Sequence, residues 1–259
     1  MTDDATARKA VAARALGLLD LTSLNDDDDE AVVDALCERA RTAFGPVAAV
    51  CIWPRFVAQA KDLLHGSGIK VAAVANFPAG GDDIAAALSD TREIVQAGGD
   101  EVDLVMPYTQ WLAGERDLAK RMISDCKQAC GDKARLKVIL ETGRLGGAET
   151  IYEASSEAIA AGADMIKTST GKIEVSATLE AAEAMLRAIK DSGRDVGFKA
   201  AGGIRDTAAA GEYLALADRI MGPDWADPWR FRFGASGLLN DLLAVLGDEA
   251  AAPAAEEGY

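Results

Sequence analysis

Two lysines stand inside runs that otherwise read as buried β-strands. Lys167 lies in Met165-Ile-Lys-Thr-Ser-Thr170, and Lys199 in Val196-Gly-Phe-Lys-Ala-Ala-Gly-Gly203. Lysine is rarely buried whole unless it is paired or in use. Each sits near the C-terminal end of its run, just before a Thr/Gly-rich stretch. An amine attacks a carbonyl only when neutral, and a free lysine with a pKa of about 10.4 is almost wholly protonated at neutral pH. A second ammonium close by and partial burial both lower that value. Lys167 as nucleophile, with Lys199 as the cation that activates it, would make an imine-forming site. The same pattern also fits a pair of salt-bridged structural lysines, and buried charge alone does not decide between the two.

Asp103 interrupts the apolar run Glu101-Val-Asp-Leu-Val-Met106. An inward carboxylate there needs a cation or a hydrogen-bond donor, which Lys167, Lys199 or Lys137 could supply. So placed, it could relay protons, directly or through water; spacing alone favours a plain structural ion pair. Lys137 shares a strand face with Ile139 and Glu141, which reads as a supporting or structural Lys–Glu pair. Three glycine-rich turns follow strand-like runs: Thr170-Gly-Lys172, Gly202-Gly-Ile-Arg205 and Gly234-Ala-Ser-Gly237. Glycine lets backbone N–H groups approach a phosphate, and helix N-termini favour its charge. Lys172 and Arg205 would add cations. Any one such turn is an ordinary strand–helix connection; three on one face suggest an anion site.

These residues need a scaffold that brings strand ends together. Short β-rich runs cover residues 48–53, 71–76, 101–106, 136–141, 165–169, 196–200, 219–221 and 230–233. Helical patterns lie between them, at 82–98, 112–131, 147–162, 177–193 and 206–217, several opened by Asp or Thr and closed by Gly. This alternation implies a parallel α/β sheet, and eight candidate strands make a (β/α)8 barrel the first choice over a doubly wound open sheet. No GxGxxG or Walker motif supports the open sheet. Residues 7–24 read as an extra amphipathic N-terminal helix lying as a lid over one barrel end, and 28–44 as another helix opened by Asp26–Glu30. Residues 1–247 are expected to form one domain, followed by a mobile Ala/Glu/Pro-rich tail at 248–259.

With 42 acidic against 27 basic residues, the net charge is −15. That argues against nucleic acid and against anionic membranes as partners, while leaving room for a small anionic substrate. Cys126 and Cys130 share a helix face and read as small buried apolar residues; neither they nor Cys37 and Cys51 form a zinc pair. The one histidine, His65, lies in a loop pattern, so a histidine triad is not expected. No signal peptide or membrane span is legible, and a cytoplasmic location is expected.

Taken in order, the segments from about residue 16 to 245 resemble deoxyribose-phosphate aldolase. The carriers are Leu18–Leu24, Val50–Phe56, Asn76-Phe-Pro78, Asp100–Asp103, Leu136–Gly143, Ile166–Lys172, Gly197-Phe-Lys199, Ala201–Arg205 and Arg232–Ser236. The resemblance implies reversible cleavage of 2-deoxy-D-ribose 5-phosphate to glyceraldehyde 3-phosphate and acetaldehyde, with no metal or organic cofactor. It places the Schiff-base lysine on Lys167, the relay aspartate on Asp103 and the second lysine on Lys199. Phosphate contacts fall on Gly171, Lys172, Gly202, Gly203, Arg205 and Ser236. Asp20 and Thr22 match a polar pair near the substrate end, Cys51 a cysteine beside it, and Tyr259 a terminal tyrosine that folds back in some relatives. Relatives are often dimeric. Two positions depart from the pattern: Ala200, where many relatives have proline, and Gly237, where a second serine often stands. Apolar Leu24 and Val74 beside the donor end lean toward a two-carbon donor. A transaldolase-like lyase and a non-catalytic phosphosugar-binding barrel remain alternatives.

Overall fold

The computed structural model describes residues 2–247, with side chains from residue 5 onward. Eight parallel strands close into a barrel. They are β1 Leu19–Thr22, β2 Ala49–Ile52, β3 Lys70–Ala75, β4 Glu101–Val105, β5 Arg135–Ile139, β6 Met165–Lys167, β7 Gly197–Ala201 and β8 Phe231–Ala235. Each pairs with its neighbours in chain order, and β1 closes the ring by pairing with both β2 and β8. The single-strand repeat with intervening helices is the (β/α)8 barrel expected from the alternation.

Two expected elements are corrected. The N-terminal helix is Thr2–Leu16, and the residues after it form β1 instead of continuing the helix. The helix packs on the flank of Thr207–Met221 and Leu238–Leu246, where Arg14 pairs with Asp218 at 2.6 Å, so it joins the outer helical layer instead of lying over a barrel end. The run at 219–221 is the last turn of the helix Thr207–Met221, not a strand. Elsewhere the bounds tighten. The helix expected at 28–44 is Glu30–Arg39, followed by a small antiparallel pair at 41–46, and that at 112–131 divides into Tyr108–Leu112 and Arg116–Cys130. The helix starts are held by side-chain caps: Asp29, Asp83, Thr178 and Asp206 each accept a backbone N–H from three residues on, an interaction typically worth about 1 kcal/mol.

Strand alternation sorts the interior sharply. The outward-facing residues Leu19, Val50, Val71, Val102, Leu136, Ile166, Phe198 and Phe231 all join one large apolar core beneath the helices. The inward set is chemically different. Asp20, Cys51, Val74, Asp103, Lys137, Lys167 and Lys199 line the barrel, and register sets Asp103 beside Lys137 and Lys167 beside Lys199. Gly197 and Gly234 keep the interior open. A Cβ at Gly197 would fall 2.5 Å from Met165 Cε, and one at Gly234 would fall 2.9 Å from Lys199 Cε. Packing between barrel and helices therefore holds the fold, while the interior is given over to charge.

Candidate active site

The interior charges form one connected cluster. Asp103 on β4 is its hub: Oδ2 accepts from Lys167 and from Lys199, each at 2.8 Å, and Oδ1 accepts from Lys137 at 2.8 Å. Asp20 on β1 pairs with Lys199 at 2.6 Å and with Lys137 at 3.2 Å. Glu101, two residues below Asp103 on the same face, pairs with Lys137 at 2.6 Å. Arg232 on β8 joins Asp20 at 2.6 Å to Glu101 at 2.8 Å. All seven side chains are at most 3% exposed. Stripping charges of water is costly, and such clusters are seldom a net source of stability.

Three lysines and an arginine face three carboxylates, so the fully ionised cluster carries one surplus positive charge. Where that surplus is relieved follows from the contacts. Burial disfavours charge on all three lysines. At Lys199 the pull of Asp103 and Asp20 overcomes burial and holds the ammonium well above its ordinary range. Lys137, facing Asp103, Asp20 and Glu101, is likewise raised against burial. Among the described residues Lys167 has only Asp103 as an ion-pair partner, and burial, aided by repulsion from Lys199, pushes its amine down. At Asp103, burial works against ionisation, but Lys137, Lys167 and Lys199 together hold the carboxyl well below the usual range. The contacts thus set an amine pushed below its ordinary range next to an ammonium held above it and a carboxyl held below its own. That is the equipment for carbonyl addition with proton transfer.

Cys51 lies against this cluster, its Sγ 3.8 Å from Asp103 Oδ2, and burial pushes its thiol up. Thr22 donates to the Asp20 carbonyl at 2.9 Å. Leu24, Cys51, Ala72 and Val74 form a separate small apolar cluster at this end of the barrel, edged by Trp53 and Phe77. Among the described residues, no group of three or more His, Cys, Asp or Glu side chains is arranged to hold a metal ion.

Beyond the strand ends, Gly171, Lys172, Ser176, Gly203 and Arg205 line a cavity of about 630 Å³. Gly171, Gly202 and Gly203 have φ of 80°, 82° and 84°, a region where side chains are strained. A Cβ at Gly202 would fall 2.6 Å from Ser176 Cβ and 3.2 Å from Gly171 Cα, so the two turns touch only because 202 is glycine. Ser236 lines a neighbouring groove of about 620 Å³ beside Thr22 and Leu24. Lys172 links the two depressions, its amine donating to the Leu24 carbonyl at 2.7 Å. Tyr259 falls outside the described residues.

One expected pair is replaced. The glutamate partner of Lys137 is Glu101, not Glu141. Glu141 has φ 56°, which takes it out of the strand and ends the alternation; its carboxylate accepts instead from Thr170, at 3.2 Å from the N–H and 2.5 Å from the hydroxyl. Sequence reasoning gave Arg232 no role. The available signal was a charge flanked by Phe231 and Phe233, at the inward phase of a strand.

A family profile, DeoC/LacD family aldolase, matches residues 14–240. The chain belongs to this aldolase family. Solved structures agree with the assignment. A candidate deoxyribose-phosphate aldolase from Coccidioides immitis is 28% identical, with a TM-score of 0.78 over 88% of this chain and 85% of its own. One from Toxoplasma gondii reaches a TM-score of 0.86 at 23% identity, covering 93% and 96%. The tetrameric deoxyribose-phosphate aldolase of Aeropyrum pernix reaches 0.74 at 24% identity, covering 93% and 92%. The aldolase family makes the chain a lyase, and the last two structures share its barrel. No helix among the described residues of this aldolase is long and apolar enough to cross a membrane.

Proposed function

We propose that this aldolase cleaves 2-deoxy-D-ribose 5-phosphate reversibly to D-glyceraldehyde 3-phosphate and acetaldehyde, through an imine on Lys167. The observation that carries this reading is that Lys167 and Lys199 share one carboxylate oxygen, Asp103 Oδ2, while Asp20 pairs with Lys199 and not with Lys167; burial and the neighbouring ammonium push the Lys167 amine down. The neutral Lys167 amine adds to the C1 aldehyde of the open-chain sugar. Asp103 and the Lys199 ammonium, directly or through water, move the protons that turn the carbinolamine into an iminium and water. Loss of the C3 hydroxyl proton then breaks the C2–C3 bond. Its electrons flow into the iminium, releasing glyceraldehyde 3-phosphate and leaving an enamine. Protonation at C2 and hydrolysis free acetaldehyde and return the amine.

The cavity at Gly171, Lys172, Gly203 and Arg205 is suited to the phosphate, with Ser236 on the adjoining groove. Gly237 lacks a hydroxyl, but its amide opens the helix Leu238–Leu246 and remains available to an anion. The apolar cluster of Leu24, Cys51, Ala72 and Val74 favours a two-carbon donor over dihydroxyacetone, whose hydroxyls would lie there unpaired. A homodimer in the cytoplasm, without nucleic acid, membrane or cofactor, completes the proposal.

Borohydride reduction in the presence of acetaldehyde, followed by intact mass and peptide mapping, tests the mechanism. A single two-carbon adduct on Lys167, absent from Lys167→Leu, is expected. Adducts scattered over surface lysines, or none, would sink the imine and leave a phosphosugar-binding barrel. Side-by-side turnover with acetaldehyde and dihydroxyacetone as donors tests the substrate.

A further inference from the structure

Glu141 is a buried carboxylate that the proposed chemistry does not use. Its side chain is wholly buried, and no ion pair holds it among the described residues. Its backbone occupies the left-handed region at φ 56°, strained for a residue with a side chain. A buried, unpaired carboxylate in a strained position is unfavourable unless its hydrogen bonds matter.

Those bonds all serve one turn. Thr170 donates both its N–H and its hydroxyl to Glu141, and the Thr170 hydroxyl oxygen accepts the Lys172 N–H at 3.1 Å. Two further contacts grip the same segment. Thr142 N–H donates to the Thr168 carbonyl at 2.9 Å, and Gly143 lies so close under Val175 that a Cβ would fall 2.0 Å from its carbonyl oxygen. The strain at residue 141 therefore turns the chain so that its carboxylate meets Thr170 while Gly143 fits beneath the loop. Chemistry selects a carboxylate here. It accepts two donors from Thr170, leaving the hydroxyl oxygen free for the Lys172 amide. A glutamine in the same place has one acceptor and an NH₂, so the hydroxyl must reorient and the chain of bonds breaks.

We propose that Glu141 is a positioning residue for anion recognition: acting through Thr170, it fixes the Thr170-Gly-Lys172 turn in the shape that receives the substrate phosphate. This rests on the phosphosugar reading above. The test compares wild type, Glu141→Gln, Thr170→Val and the double variant, each verified as folded by thermal melting. The readouts are the ratio of kcat/KM for 2-deoxyribose 5-phosphate to that for 2-deoxyribose, and calorimetric binding of inorganic phosphate. Each single variant is expected to lose about tenfold in the ratio, the scale of one charge-assisted hydrogen bond, and the double variant little more. Phosphate affinity should fall in parallel. Wild-type ratios and phosphate affinities in both single variants, or fully additive losses in the double, would overturn the role of Glu141 while leaving the phosphosugar reading intact. A wild-type enzyme that neither prefers the phosphorylated sugar nor binds phosphate would remove that reading, and the proposal with it.

Discussion

Lys167 and Lys199 direct their amines at a single oxygen, Asp103 Oδ2, each from 2.8 Å. Two ammonium groups that close repel, and one carboxylate oxygen cannot fully compensate both. Asp20 resolves the contest by giving Lys199 a second partner at 2.6 Å and Lys167 none. The asymmetry between two otherwise similar buried lysines therefore comes from the strand that closes the barrel.

That asymmetry predicts a pH effect. Activity that needs a neutral Lys167 rises with pH through an amine pKa depressed below the ordinary 10.5. Lys199→Leu removes a repelling charge and leaves Asp103 more fully to Lys167, so both changes raise the Lys167 pKa. The acidic limb of the kcat/KM profile should move to higher pH, with kcat near neutrality down by at least about a hundredfold, within the usual range for loss of acid–base help. A limb that stays in place would assign Lys199 a structural role only.

Asp103→Asn keeps the shape and removes the hub charge. Three lysines then lose a partner, and unfolding in denaturant should show a loss of about 3–5 kcal/mol at neutral pH, typical of breaking a buried ion pair. The sign of the pH dependence follows from the depressed Asp103 carboxyl. Its contribution is present above the ordinary value of 3.8 and is lost as pH falls toward the folded-state value. The gap between wild type and Asp103→Asn should narrow in strong acid.

Gly234→Ala tests the space around Lys199. The new methyl would lie 2.9 Å from Lys199 Cε and 3.0 Å from Ala201 Cβ. Overpacking of this kind costs about 1–3 kcal/mol. Because the crowded group is Lys199, kcat should fall further than thermal stability alone accounts for. Unchanged kinetics would mean that the Lys199 stem relaxes freely.

Arg205→Ala should act on binding instead of chemistry. With Arg205 lining the cavity over the glycine turns, its loss is expected to raise KM for 2-deoxyribose 5-phosphate by about tenfold or more with kcat little changed, the signature of uniform binding. An equal effect on unphosphorylated 2-deoxyribose would point away from a phosphate contact.

Lys167, Lys199 and Asp103 were legible because charge inside an apolar run is conspicuous without any knowledge of neighbours. The cluster around them was not, because Asp20, Glu101 and Arg232 meet only once a ring has closed, and no spacing along the chain encodes that. Two elements misled for a shared reason. Leu18-Leu-Asp-Leu-Thr22 continues the apolar content of the helix before it, and Arg219-Ile-Met221 follows an apolar helix whose end looks like a short buried strand. Over three to five residues a buried strand and a helix end cannot be told apart by period. Alternation pairs Glu141 with Lys137 only if the strand is carried two residues past Ile139, where it ends, to a position whose positive φ turns the side chain away.

The salt bridge between Asp20 and Arg232 joins residues 212 positions apart. Its strands are among the first and last of the barrel to leave the ribosome. Until β8 docks, Asp20 and Glu101 lack their arginine. Contacts of such long sequence separation form late. The charge balance of the barrel interior is accordingly a property of the closed ring. A barrel lacking its eighth strand would hold three lysines against three carboxylates, and the surplus positive charge of the interior arises only when Arg232 docks.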